Sequence, residues 1–133
     1  SAEEQHHTGD KMAGRVLLIE DEPNIAEAIR FILSREGCEV MVEADGARAL
    51  TRIANIDPDL VILDLMLPGM SGLEILAALR SNPATQALKV LMLTAKGQGR
   101  DREAAERAGV SAFMAKPFAN ADMRAQVRAL LEG

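Results

Sequence analysis

A doubly wound parallel α/β sheet is the fold this sequence predicts, on three observations. Five short apolar runs alternate with five stretches of helical period along the whole chain. Leu60-Val61-Ile62-Leu63 is apolar at consecutive positions, so helices must cover both faces of that strand. Four of the five runs then stop at polar side chains that the apolar pattern does not need: Glu20 with Asp21, Asp64, Thr94 and Lys116.

Each element has its own start and stop. Arg15–Ile19 is a short, mostly aliphatic strand that breaks off at Glu20-Asp21-Glu22. Pro23 sits in the first turn of the helix that follows, where its missing N–H is no loss. Ile25, Ile29, Ile32 and Leu33 recur at helical spacing until Gly37 stops them. Val40 and Val42 mark a second strand, Asp45-Gly46 a turn, and Leu50 with Ile53 a short second helix. The third strand, Leu60–Leu63, halts at Asp64, and Leu67-Pro68-Gly69-Met70 is loop. Ser71 with Glu74 three residues on is a capping box for a third helix through Leu73, Leu76 and Leu79. Val90–Leu93 is the fourth strand, and a polar fourth helix runs from Arg100 to Ala108, ending at Gly109. Ala112–Ala115 is the fifth strand, closed by Lys116-Pro117. Asn120 is placed to cap a last helix with Met123, Val127, Leu130 and Leu131 on one face.

Composition narrows the function. The chain has 133 residues and no internal repeat, which fits one domain over 14–133 behind a polar segment, 1–13. That segment, with His6-His7, reads as a flexible tail or expression remnant, Met12 being a candidate original start; a metal site at the two histidines is the rival reading. Apolar residues make up 48%, so disorder is excluded, yet Phe31, Phe113 and Phe118 are the only aromatics, a poor set for stacking on bases. The net charge of −5 lacks the basic footprint of a nucleic-acid binder, so no direct nucleic-acid contact is expected. The single Cys38 excludes a disulfide framework and fits the cytoplasm, and no apolar run is long enough to cross a bilayer.

In a parallel sheet all four polar strand ends gather at the carboxyl edge, where such folds bind ligands. Glu20, Asp21 and Asp64 would repel one another there unless a cation joined them. Lys116 supplies one positive charge, and the remaining excess calls for a metal. Oxygen-only ligation favours Mg²⁺, with Mn²⁺ able to substitute. A carboxylate is a competent nucleophile toward a phosphoryl group, and such transfer depends on positioning and charge neutralisation. Asp64 is therefore the expected nucleophile and site of phosphorylation. Asp21 would ligate the metal directly and Glu20 through water, with Asp64 and the Met66 backbone carbonyl completing the protein ligands. Thr94 and Lys116 would donate to phosphoryl oxygens.

From about Arg15 onward the chain resembles the receiver domains of bacterial response regulators, the two-component signalling proteins related to the chemotaxis regulators. The resemblance lies in Val16-Leu17-Leu18-Ile19-Glu20-Asp21-Glu22, in Leu63-Asp64-Leu65-Met66-Leu67-Pro68-Gly69-Met70-Ser71-Gly72, in Leu93-Thr94-Ala95 and in Lys116-Pro117-Phe118. The Asp64 segment is the most specific piece, and all four in this order more so. The resemblance implies a flavodoxin-like sheet of order 2-1-3-4-5, the same metal and phosphoryl roles, and a cis bond before Pro117. It also implies a sensor histidine kinase or histidine phosphotransfer protein as donor. The implied readout is a switch through Thr94 and Phe113 that reshapes the face of helix four, strand five and helix five for a downstream target or output domain. The protein would then be a signalling phosphoacceptor rather than an enzyme, as a monomer or a phosphorylation-dependent dimer.

Two residues depart from the family pattern. Glu20 stands where Asp is commoner, and Phe113 where Tyr is frequent; Phe can move inward but offers no hydroxyl. Met66 and Lys96, two residues beyond Asp64 and Thr94, flank the path of a hydrolytic water, and the bulky Met66 is expected to slow loss of the phosphoryl group. A rival class is a phosphohydrolase of the haloacid dehalogenase type. It needs a second Asp two residues after the nucleophile, where Met66 cannot move protons. A flavodoxin-like cofactor binder would need a phosphate-cradling loop after strand one, where three acids stand instead. A DNA-binding regulator would need an output domain beyond Gly133.

Overall fold

The computed structural model describes residues 12–95 and 99–133. Among them, five strands, β1 (Arg15–Ile19), β2 (Glu39–Glu43), β3 (Leu60–Asp64), β4 (Lys89–Thr94) and β5 (Ala112–Ala115), form one sheet in the order β2-β1-β3-β4-β5. All pairings are parallel. The helices are α1 (Pro23–Arg35), α2 (Ala49–Ile56), α3 (Gly72–Ser81), α4 (Gly99–Arg107) and α5 (Asn120–Glu132), with a 3₁₀ turn over Gly46–Arg48 before α2.

The central strands are buried on both faces, as their unbroken apolar runs require. Val16, Leu18, Leu60, Ile62, Leu91 and Leu93 point to one side, where they meet Ile29 and Leu33 of α1 and Met123 and Val127 of α5. Leu17, Ile19, Val61, Leu63, Val90 and Met92 point to the other and meet Ile53 of α2, Ile75, Leu76 and Leu79 of α3, and Ala105 of α4. Two apolar layers on one sheet are thus filled almost entirely with aliphatic side chains.

Two details differ from the sequence reading. Met12, assigned to the tail, is packed in the core and donates its N–H to Glu36 O at 2.7 Å. Asn120 does not cap α5: it is the first helical residue, and the cap position is Ala119, with no side-chain cap bond. The apolar pattern locates a helix face better than it locates its first residue, because the cap depends on how the chain arrives from Pro117-Phe118. The capping box of α3, by contrast, is complete: Ser71 Oγ accepts from Glu74 N at 3.2 Å and Glu74 Oε1 accepts from Ser71 N at 2.9 Å. His6, His7, Lys96, Gly97 and Gln98 lie outside the described residues.

Candidate functional site

The parallel register brings the strand ends together. Ile19 pairs with Leu63 across β1–β3, and Asp64 with Leu93 across β3–β4, so Glu20, Asp64 and Thr94 emerge on the same edge. Thr94 pairs with Ala115, which places Lys116 next to it. Oxygens of Glu20, Asp21 and Asp64 lie within 4.8 Å of one another. The Lys116 Nζ stands 3.3 Å from Glu20 Oε1 and 3.3 Å from Asp64 Oδ1, bridging both acids. The bond between Lys116 and Pro117 is cis.

Burial sorts these groups. Glu20, Asp64 and Thr94 are buried and Asp21 is exposed. The Asp64 side chain keeps only 5% of its surface, so access to it is narrow. Beside it in sequence, Met66 is 72% exposed. Both carboxyl oxygens of Glu20 already have partners, Oε1 the ammonium of Lys116 and Oε2 the N–H of Glu22 at 3.1 Å.

Burial pushes the Glu20 carboxyl above its ordinary range; the Glu22 N–H works against this, the Asp64 charge adds to it, and Lys116 partly offsets it. For Lys116, burial works against the charge, but the Asp64 and Glu20 carboxylates and the hydrogen bonds to them prevail. The ammonium is held above its usual value. The acids still outnumber the cation. An all-oxygen donor set that includes an exposed Asp21 suits a hard divalent ion such as Mg²⁺.

Phe113, expected to act further from the metal, stands apart. Phe113 is half-buried against the α2–α3–α4 side of the core, with the Arg102 guanidinium 5.7 Å from its ring centre. Its neighbours Met92 and Met114 are core residues, and Cys38 is a buried thiol. One polar strand end escaped the sequence reading: Glu43 closes β2, is buried, and accepts from Asp45 N at 3.0 Å. Arg48 and Arg52 approach it at 3.8 Å each. An acid stopping an apolar alternation was the available signal, the same one that singled out Asp64.

A five-stranded parallel sheet of order 2-1-3-4-5 with acids, a threonine and a lysine at its carboxyl edge defines a signalling receiver. The chain belongs to the response regulator receiver domain family, whose model matches residues 16–128. It is similar to the DNA-binding response regulator MtrA of Mycolicibacterium smegmatis, 39% identical over 122 residues that are 92% of this chain and 52% of that one. The chain therefore spans about half the length of the curated relatives it matches. Among solved structures, a Chloroflexus aurantiacus chain assigned as a response regulator superposes with a TM-score of 0.87 at 33% identity, covering 92% of this chain and 100% of that one. The Mn²⁺-bound form of response regulator Rcp1 superposes with a TM-score of 0.75 at 25% identity, covering 88% and 91%. The phosphohydrolase alternative finds no support. Met66 occupies the position of the acid/base that such an enzyme needs, and the family match is to a receiver. No helix among the described residues is long and apolar enough to cross a membrane.

Proposed function

We propose that this receiver domain takes a phosphoryl group onto Asp64 from a phosphohistidine of a sensor kinase or phosphotransfer protein. The P–N bond of the donor breaks as an Asp64 carboxylate oxygen bonds to phosphorus, and the imidazole leaves to pick up a proton. The observation that carries this reading is the meeting of Asp64 with Asp21, Glu20 and Lys116 at one strand edge. Asp21, Asp64 and the Met66 carbonyl would hold Mg²⁺ or Mn²⁺. Glu20, both of whose oxygens are engaged, would act through water. When bound, the metal neutralises charge on the phosphoryl oxygens and on the acids. Lys116, fully protonated, offers its N–H groups to the same oxygens, and Thr94 its hydroxyl.

The phosphoryl group adds about two negative charges. Drawing Thr94 toward it would shift the end of β4 and let Phe113 move inward, changing the α4–β5–α5 face presented to a partner or an output domain. Inverting a two-state balance from 1:99 to 99:1 takes about 5.5 kcal/mol, and hydrogen bonds to charged groups contribute about 1.5–3 kcal/mol each. Two such donors are of the needed order. Turnover of a small substrate is not expected, because Met66 offers no acid/base; its exposed bulk shields the aspartyl phosphate from water. The reading places the domain over 14–133, extended by Met12, in the cytoplasm. The −5 charge supports leaving nucleic-acid contact to another part of the protein.

Incubation with acetyl phosphate and Mg²⁺, followed by intact mass measurement, is the test. A single phosphoryl adduct is expected, absent in Asp64→Asn and without metal. Labelling that persists in Asp64→Asn would overturn the assignment.

A further inference from the structure

We infer that Gly46 is a positioning residue for this site: the turn Asp45-Gly46-Ala47 clasps the tip of the β3–α3 loop and so sets where that loop, with the Met66 backbone, lies beside Asp64. The inference rests on the reading of that loop as part of the phosphoacceptor site.

The loop, 65–71, leaves β3 directly after Asp64. Its base is closed by two backbone bonds, Gly72 N to Leu65 O at 3.0 Å and Leu65 N to Leu93 O at 2.8 Å. At its tip Met66, Pro68 and Gly69 are exposed, while Leu67 and Met70 are partly buried against the core. The neighbouring turn adds a direct hold on the tip's backbone. Gly46 N donates to Pro68 O at 3.0 Å. Gly46 is buried, and a Cβ there would run into Met70 O while lying 2.8 Å from Pro68 O and 3.0 Å from Met70 N. No side chain fits.

The fit is reciprocal. Gly69 has φ +84, and a Cβ on it would stand 2.7 Å from Asp45 Oδ1 and 2.9 Å from Ala47 N. The turn is itself fixed to the acidic edge. Asp45 Oδ1 accepts from Ala47 N at 2.9 Å, and Asp45 N donates to Glu43 Oε2 at 3.0 Å. Glu43 O in turn accepts from Glu20 N at 3.0 Å. A continuous hydrogen-bonded path therefore runs from the metal-facing end of β1, through the end of β2 and the clasp, to the loop that follows Asp64. With Leu67 and Met70 only partly buried, the tip's conformation depends on these backbone bonds as well as on the core. Opening the clasp should free the loop without unfolding the domain.

The experiment compares the wild-type chain with Gly46→Ala and with Val127→Ala, which opens a cavity in the opposite apolar layer. Amide exchange is followed in metal-free protein, and Mg²⁺ affinity by titration. In Gly46→Ala the amides of Met70 and Gly72 should exchange at least tenfold faster, and Mg²⁺ should bind at least fivefold more weakly. Val127→Ala should lose stability with both readouts unchanged. Asp45→Ala, which removes only the bond to Ala47 N, should move both readouts the same way by a smaller factor, and it carries the test if Gly46→Ala does not fold. Wild-type exchange and Mg²⁺ affinity in the folded variant would overturn the clasp. A wild-type chain that neither binds Mg²⁺ nor takes a phosphoryl group would instead overturn the reading of the site beneath it.

Discussion

The two sides of the Asp64 site are built differently. On the β3–α3 side, the helix opens with a complete capping box and buries Ile75, Leu76 and Leu79. Its far end is tied by Arg80, whose Nε donates to Gly109 O at 2.8 Å. On the β4–α4 side, the described helix buries only Ala105. Among the described residues it also carries an Arg102–Glu106 ion pair along its own surface at 3.3 Å and the guanidinium of Arg102 over Phe113. Under the proposed function, the difference separates two tasks. Atoms that receive charge must already be in place, whereas a helix that answers to charge must be held by little enough to move.

Four measurements would break or sharpen that contrast. Leu76→Ala on α3 should cost about 2–5 kcal/mol of unfolding free energy by chemical denaturation. Glu103→Ala on α4 should stay within about 0.5 kcal/mol. Similar losses at both positions would remove the contrast altogether.

The acid side should next show itself in pH. In the folded state burial holds the Glu20 carboxyl above its ordinary range, and the Asp64 charge adds to this. A folded state that binds this proton more tightly than the unfolded one is most favoured at low pH, as far as this group is concerned. That contribution is fully present below the unfolded pKa and is lost as pH rises through the folded one. Glu20→Gln should flatten the corresponding fall in melting temperature for metal-free protein while weakening Mg²⁺ binding. A variant that keeps the wild-type slope would show that Glu20 is not the group responsible.

Ser71→Ala comes next. Losing the bond to Glu74 N should cost about 1 kcal/mol, read by thermal melting. The smallest effect is expected at Arg102→Gln. Its cation–π contact is worth about 0.5–1 kcal/mol at an exposed site. NMR of the Phe113 ring should register it as a changed environment with little change in melting. A ring signal that ignores the substitution would mean that α4 does not hold Phe113.

Much of this was legible in the one-dimensional pattern because the physics involved is local. Leu60–Leu63 cannot lie at a half-exposed edge, and Ser71 with Glu74 announces a helix start from four residues alone. The polar ends of four strands pointed to Glu20, Asp21, Asp64, Thr94 and Lys116, and the structure brings these acids and the lysine together. Glu43 shows the same signal at a fifth strand end, yet its partners are arginines of the next turn and helix. The pattern marks a buried acid without telling which neighbour compensates it. Asn120 looked like a cap and is not one, because a capping side chain must be aimed by the chain that precedes it.

Taken by itself, then, the sequence determined the alternation of strands and helices, which strands are central, and which polar groups end them, since each follows from periodicity and from the cost of burying apolar or charged side chains. The tertiary structure alone decided that Lys116 bridges Glu20 and Asp64, that Asp64 is nearly enclosed, and that Gly46 meets Pro68 and Met70. Those contacts join segments far apart along the chain, and only the packed sheet sets their distances.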